Sequence, residues 1–277
     1  MEKTVADLKI GSKIILGAYP VSLDQTPAPI TWLKADVANR CISDKVLDVL
    51  AFDAAEVRDV RRTAYGDQFV MEPNNNYALS NIHQYLNSQN VNWFTPTHPK
   101  DEPPELYPRH VQLRGTEYKD HPGFLNYFEG FEIAAMKEDR VVIGGEELTS
   151  LVRLPTLEEI KNDAMKFTLF RRKGVRAHPT PELVYGRRNA FLTESGFASF
   201  WTTDGSNGGS YVRYIDRGSY VSSSDPRYPN GVRPVIMLKP ETKVRLIDKD
   251  TYELIPIECN DEPSKEDLLS FLGLALP

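Results

Sequence analysis

Apolar and polar positions alternate in short runs near the start of the chain. Lys13-Ile-Ile-Leu16 and Ile30-Thr-Trp-Leu-Lys-Ala-Asp36 read as strands flanking a Pro-rich loop, and a further element begins at Cys41 and runs to Ala51. The period then changes. In Tyr77-Ala-Leu-Ser-Asn-Ile-His-Gln-Tyr-Leu-Asn87, Leu79, Ile82 and Leu86 recur at helical spacing after the turn-rich Glu72-Pro-Asn-Asn-Asn76, which predicts a helix docked on the sheet. Phe124, Phe128, Phe131 and Ala135 share about one helical face and predict a second helix from Phe124 to Met136. Between the two, Thr95 to Asp120 is Pro-rich and is expected to be a long surface excursion. A third helix is announced by Leu154-Pro-Thr-Leu-Glu-Glu-Ile160, where Thr156 and Glu159 stand at capping-box spacing and can satisfy each other's free backbone donors.

Short strand patterns follow around Ser199 to Thr203, Tyr211 to Ile215, Ser219 to Ser222 and Val232 to Leu238. Asp216-Arg-Gly218 is expected to supply a hairpin turn in which the glycine takes a positive φ. Val244 to Ile257 predicts another hairpin, turning at Asp248-Lys-Asp250. Asn260-Asp-Glu-Pro263 then breaks the pattern ahead of a short terminal helix opened by Ser264. No internal repeat is present. The loops of the 197–238 region are made of Asn, Ser, Gly, Asp and Tyr, a composition that presents rigid aromatic area and adaptable hydrogen bonding to a partner. A catalytic pocket needs converging titratable groups instead.

Bulk properties narrow the class. A chain of 277 residues with 40% hydrophobic and 26% charged content can bury a core in one large or two modest domains. A net charge of -6 argues against nucleic acid as the main partner. The local exception is Lys161, Lys166, Arg171, Arg172, Lys173, Arg176, Arg187 and Arg188 against Asp163 and Glu182, read as a solvated face or a contact with an acidic neighbouring subunit before a nucleic-acid site. Cys41 and Cys259 are expected to be reduced, buried thiols, too few for a disulfide framework. The five histidines, His83, His98, His110, His121 and His178, show no metal-ligand spacing, and Asp204-Gly-Ser-Asn-Gly208 lacks the remaining acids of a calcium loop. Nucleophile-elbow, phosphate-loop and dinucleotide fingerprints are absent, so no catalytic residue, metal or cofactor is expected. The N-terminus has no apolar signal core and no window reaches membrane-spanning length, so synthesis in a cytoplasm without signal-peptide export is expected.

The order Trp32-Leu-Lys-Ala-Asp36, Leu50-Ala-Phe-Asp53, Tyr77 to Asn87, Pro122-Gly-Phe-Leu-Asn-Tyr-Phe128, Leu154-Pro-Thr156, Phe200-Trp-Thr-Thr203, Tyr211-Val-Arg213 and Gly231-Val-Arg-Pro-Val-Ile236 resembles a family common in the structural-gene modules of bacterial prophages. The likeness spans roughly residues 4 to 240. Its C-terminal part is similar to the C-type-lectin-like fold of formylglycine-generating-type enzymes and of the variable proteins of diversity-generating retroelements. The implied fold is α+β, with short antiparallel strands, two to three helices and long irregular loops over 1–240. The hairpin at 241–258 and an acidic linker with an apolar terminal helix at 259–277 follow it.

In the retroelement proteins, residues between a Trp-containing strand and the final Gly-x-Arg-Pro strand bind the ligand, which carries over here to Trp201 to Asn230. Within that window the expected ligand-binding residues are Asp204, Asn207, Tyr211, Tyr214, Tyr220, Asp225, Tyr228 and Asn230. Strand parity assigns at least one of Tyr211 and Tyr214 to the core. Trp201 is also expected inside, and Arg233 is expected to be buried and tied to backbone carbonyls or a carboxylate.

The resemblance implies a non-enzymatic phage tail or fibre-associated structural protein, located in the virion, that binds a host surface receptor, glycan or protein. A purely structural virion or baseplate subunit is the first alternative. An oxidase-like enzyme is the second, although Cys41 and Cys259 fall outside the window that holds the formylglycine-generating cysteine pair. Expected partners are copies of the chain and other phage structural subunits, with no nucleic acid and no membrane. The apolar end Asp267 to Pro277 packs on its own domain or, through Leu268, Leu269, Phe271 and Leu272, docks on a neighbouring subunit.

Overall fold

The computed structural model describes residues 2–20, 26–53, 55–63, 66–73, 75–95, 121–161, 166–187, 196–206 and 211–256. Its strands, in chain order, are Glu2–Thr4 (β1), Lys13–Tyr19 (β2), Ala28–Lys34 (β3), Arg40–Ser43 (β4), Asp48–Leu50 (β5), Ala55–Thr63 (β6), Gly66–Pro73 (β7), Met136–Lys137 (β8), Asp139–Ile143 (β9), Glu146–Ser150 (β10), Val152–Arg153 (β11), Phe200–Gly205 (β12), Val212–Ile215 (β13), Val221–Ser224 (β14), Asn230–Val232 (β15), Val235–Leu238 (β16), Lys243–Asp248 (β17) and Thr251–Leu254 (β18). The α-helices are Asn81–Leu86 (α1), Gly130–Ala135 (α2), Leu157–Lys161 (α3), Thr168–Lys173 (α4) and Pro181–Arg187 (α5). The class is mixed α+β and mostly sheet. Among the described residues no helix is long and apolar enough to cross a membrane.

The main sheet runs β1-β17-β18-β2-β3-β4-β16-β11, with β8 also paired to β16. All its pairs are antiparallel except β18 against β2. The 243–254 hairpin therefore lies inside this sheet, between β1 and β2. Next to its β11 end, between β4 and the short strands β8 and β11, β16, Val-Ile-Met-Leu, is buried at every position, as a strand covered on both faces requires. Trp32 on β3 is fully buried and its indole N–H donates to the Leu16 carbonyl at 2.8 Å. Lys34 is buried too; its ammonium donates to the carbonyls of Val5 at 2.8 Å and Leu8 at 2.9 Å, tying the N-terminal turn to β3. Cys41 is a free buried thiol, pushed up to about 12 by burial, while Cys259 lies outside the described residues.

The helices are shorter than the apolar spacing predicts. The stretch from Tyr77 divides into a 3-10 turn, Tyr77–Leu79, and α1, because Ser80 is extended and its hydroxyl accepts the His83 N–H at 3.3 Å, opening a new helix. Ile82 and Leu86 are buried, but Leu79, one turn out of phase, is exposed. Phe124 to Met136 divides likewise into a 3-10 turn, Phe124–Tyr127, and α2, which starts at a box between Glu129 and Glu132. The third helix forms as the capping box predicts: Thr156 N–H donates to Glu159 Oε2 at 2.9 Å and Glu159 N–H to Thr156 Oγ1 at 3.1 Å. Two helices in the basic segment, α4 and α5, and the β6–β7 hairpin were not anticipated; Pro181 opens α5 at the position where its missing N–H costs nothing. Residues 96–120, Asn207, and the apolar end with Leu268, Leu269, Phe271 and Leu272 lie outside the described residues.

A buried ion cluster joins β4 and β11 of the main sheet to β9 and α3. Arg153 has no exposure. Its guanidinium donates to Asp139 Oδ2 through Nε at 2.9 Å, and to Glu159 through Nη1 at 2.8 Å and Nη2 at 2.6 Å. Arg40 completes the ring, reaching Asp139 at 2.9 Å and Asp36 at 3.1 Å. Burial alone would raise the Asp139 carboxyl, but the Arg40 hydrogen bonds and the Arg153 and Arg40 charges outweigh it and hold the group below the usual carboxylate range. A depressed folded pKa contributes stability above the unfolded value, about 4, that is lost as pH falls through the folded one. Asp139→Asn should therefore lose about 3–5 kcal/mol in urea unfolding at neutral pH, because it leaves buried arginines under-compensated. The gap to the parent should narrow below about pH 4; a gap independent of pH would contradict the assignment.

Candidate functional site

The 200–232 region builds a three-stranded sheet, β12-β13-β14, beside the main one. In β12 the buried residues come in succession, Phe200, Trp201, Thr202 and Thr203, because both faces and one edge of the strand are covered. Trp201 has no exposure; its indole N–H donates to the Leu50 carbonyl at 3.0 Å, and Phe52 and Tyr214 meet it edge-on at 5.8 and 6.0 Å. The register sets Phe200 opposite Ile215 and Trp201 opposite Tyr214. Parity places Val212 with Tyr214 on one face and Arg213 with Ile215 on the other, and since Val212 and Ile215 are both fully buried, the sheet is covered on opposite faces at its two ends. At its outer side β14, Val-Ser-Ser-Ser, exposes Val221 and Ser223.

Helix α3 secures the other edge. The Thr203 N–H donates to the Pro155 carbonyl at 3.0 Å, and Asp204 Oδ2 accepts the Leu157 N–H at 2.8 Å and the Thr203 hydroxyl at 3.2 Å. Asp204 thus satisfies a free donor in the first turn of α3. Its carboxyl is raised because burial outweighs these hydrogen bonds. Asn230 is only 8% exposed, and its Oδ1 accepts the Ser199 hydroxyl at 2.6 Å and the Gly231 N–H at 2.9 Å. Asp225 holds Arg227 by its side chain, at 2.8 Å from Nε, and by the backbone N–H at 3.0 Å, while Pro226 O accepts the Phe52 N–H at 2.8 Å. These three polar side chains shape turns and joints.

The tyrosines divide differently. Tyr214 is half-buried on Trp201. Tyr211 is 51% exposed, Tyr220 70% and Tyr228 36%. Lys161, at the end of α3, lies 5.5 Å above the Tyr220 ring. The turn before Tyr220 departs from expectation: Ser219, not Gly218, takes the positive φ, 71°, and its N–H donates to the Asp216 carbonyl at 3.0 Å. At Gly218 a Cβ would meet the Tyr220 ring at 2.9 Å, a contact that the exposed ring can relieve by turning aside.

Two further residues of the Gly231-Val-Arg-Pro segment have structural tasks. A Cβ on Gly231 would stand 2.0 Å from the Ser199 carbonyl oxygen, so only glycine lets β15 pass beneath β12. Arg233 is buried; Nε donates to Ser43 O at 3.0 Å and Nη1 to Val175 O at 2.7 Å, between the Phe170 and Phe200 rings at 5.3 Å each. Burial lowers its guanidinium to about 10.

Arg213 was not singled out from the sequence, although it belongs to the Tyr211-Val-Arg213 motif. It is half-buried opposite Ser223, and among the described residues its guanidinium has no hydrogen-bond or ion-pair partner. Strand parity, applied to the cation as well as to the tyrosines, is the signal that finds it. No group of three or more His, Cys, Asp or Glu able to hold a metal ion occurs among the described residues. Compared with known proteins, the chain matches no family model, no curated protein and no solved structure.

Two substitutions test the structural tasks. Gly231→Ala should cost about 1–3 kcal/mol in urea unfolding, the usual penalty of overpacking. Asp204→Asn, which keeps an acceptor for Leu157, should unfold close to the parent, whereas Asp204→Ala should lose about 1–2 kcal/mol, the worth of a cap. Equal losses for Asn and Ala would contradict the capping role.

Proposed function

We propose that the protein acts without catalysis as a tail- or fibre-associated structural protein of a bacteriophage, binding a host receptor through a C-type-lectin-like surface. The observation that carries this reading is the exposure of Tyr211, Tyr220 and Tyr228 on a unit whose Trp201 and Phe200 are fully buried. Exposed tyrosine rings held just beyond strand ends give large contact area at low entropic cost, which suits recognition. The ordered motifs from Trp32 to Ile236 support the prophage-module part of the reading, and the sheet-bounded window from Trp201 to Asn230 supports the lectin-like part. Of the residues assigned to the ligand, Tyr211, Tyr220 and Tyr228 contact it. Asp204, Asp225 and Asn230 hold the loops that present them, and Tyr214 backs the sheet.

Whole-cell binding tests this directly. Replacing Tyr211, Tyr220 and Tyr228 together by Ala should lower adhesion to susceptible bacteria about 100-fold, a modest hot-spot loss for three rings, while the thermal midpoint stays within a few degrees. Adhesion equal to the parent's would overturn the reading and leave the subunit-contact alternative.

A further inference from the structure

We propose that the ligand of this surface is an acidic saccharide and that Arg213 receives its carboxylate. The inference rests on the display reading above and goes on to name the ligand chemistry. It begins with an imbalance. The acids of the three-stranded unit are already engaged: Asp225 with Arg227, Asp204 with the start of α3, and Asp216 with the Tyr220 N–H at 2.8 Å. Arg213 has no such partner among the described residues, although it lies half-buried in the middle strand. A guanidinium has five donors and no acceptor, and a half-buried one gains most from a planar anion that takes two of them at once.

Its surroundings indicate what carries that anion. Register sets Ser223 directly across from Arg213, and alternation places Val221 diagonally and Tyr211 two residues upstream on the same face. Tyr211, Val221 and Ser223 are all exposed. A ring, an aliphatic side chain and a hydroxyl thus surround one cation. The patch around Arg213, two strands wide and three residues long, is roughly 5 by 7 Å, room for one sugar ring of a longer ligand that also meets Tyr220 and Tyr228. Tyr211 offers a face for the C–H side of a sugar, Ser223 can exchange hydrogen bonds with its hydroxyls, and Arg213 can form the fork-to-carboxylate pair.

The test is a binding comparison within matched pairs, sialyllactose against lactose and trigalacturonate against galactotriose, using the full chain. The parent should bind the acidic member of at least one pair about 10- to 100-fold more tightly, the worth of a hydrogen-bonded charge, and the preference should shrink in high salt. Arg213→Gln should abolish the preference without altering the thermal midpoint, and Arg213→Lys should keep only part of it because the fork is lost. Equal affinity within both pairs, no binding to any of the four sugars, or a preference that survives Arg213→Gln would overturn the proposal. Cell adhesion separates the two levels: loss in the triple tyrosine variant with full retention in Arg213→Gln removes the acidic assignment alone. Retention in both variants removes the display reading with it.

Discussion

Arg153 sees no water, and its guanidinium is shared between Asp139, at the start of β9, and Glu159, within α3. Glu159 at the same time closes the capping box with Thr156, so one carboxylate both starts the helix and fixes it to β11. The helix start in turn reaches β12 through Asp204 and through Pro155. A continuous path of polar contacts therefore runs from β16 and β11 of the main sheet to the sheet that bears the exposed tyrosines. Such a cluster adds little over a well-packed apolar equivalent, but removing one member is costly, because the remaining charges stay buried. Its contribution is position more than stability: it sets where the smaller sheet stands.

Local signals are legible in the sequence and long-range ones are not. The Thr156–Glu159 box needs only four residues, and the strands around Lys13, Ile30, Tyr211 and Val244 follow from their own alternation. The partner of Glu159 was not legible, because nothing in the spacing of Arg153 or Asp139 says that they meet it. Nor does any period reveal that β18 lies parallel to β2 across the chain. The apolar spacing predicts a helix at Tyr77 that is one turn too long, because Leu79 fits the spacing while Ser80, a strong N-cap, overrules it.

The surface shows the same division. Asp, Asn and Ser are as apt at capping helices and closing turns as at meeting ligands, so composition alone could not separate Asp204 and Asn230 from truly exposed positions. Tyrosine is less ambiguous once burial is known: Tyr214 backs Trp201, whereas Tyr211, Tyr220 and Tyr228 face solvent. Trp201 and Arg233, both quoted among the motifs of the window, are core residues, and the glycine at 231 is there for close approach. Most motif residues of this window thus build the frame, and the exposed residues, Tyr211 of the Tyr211-Val-Arg213 motif with Tyr220 and Tyr228, mark the function proposed.

The most direct measurement is tyrosine-selective covalent labelling, read by mass spectrometry, of the free chain, of the chain in assembled particles, and of particles bound to bacteria. The account predicts that Tyr211, Tyr220 and Tyr228 react equally in the free chain and in particles and become protected only on the cells, while buried Tyr77 and Tyr85 stay unreactive throughout. Protection of the three already complete in particles, with no change on cell binding, would contradict it and identify the surface as a subunit contact.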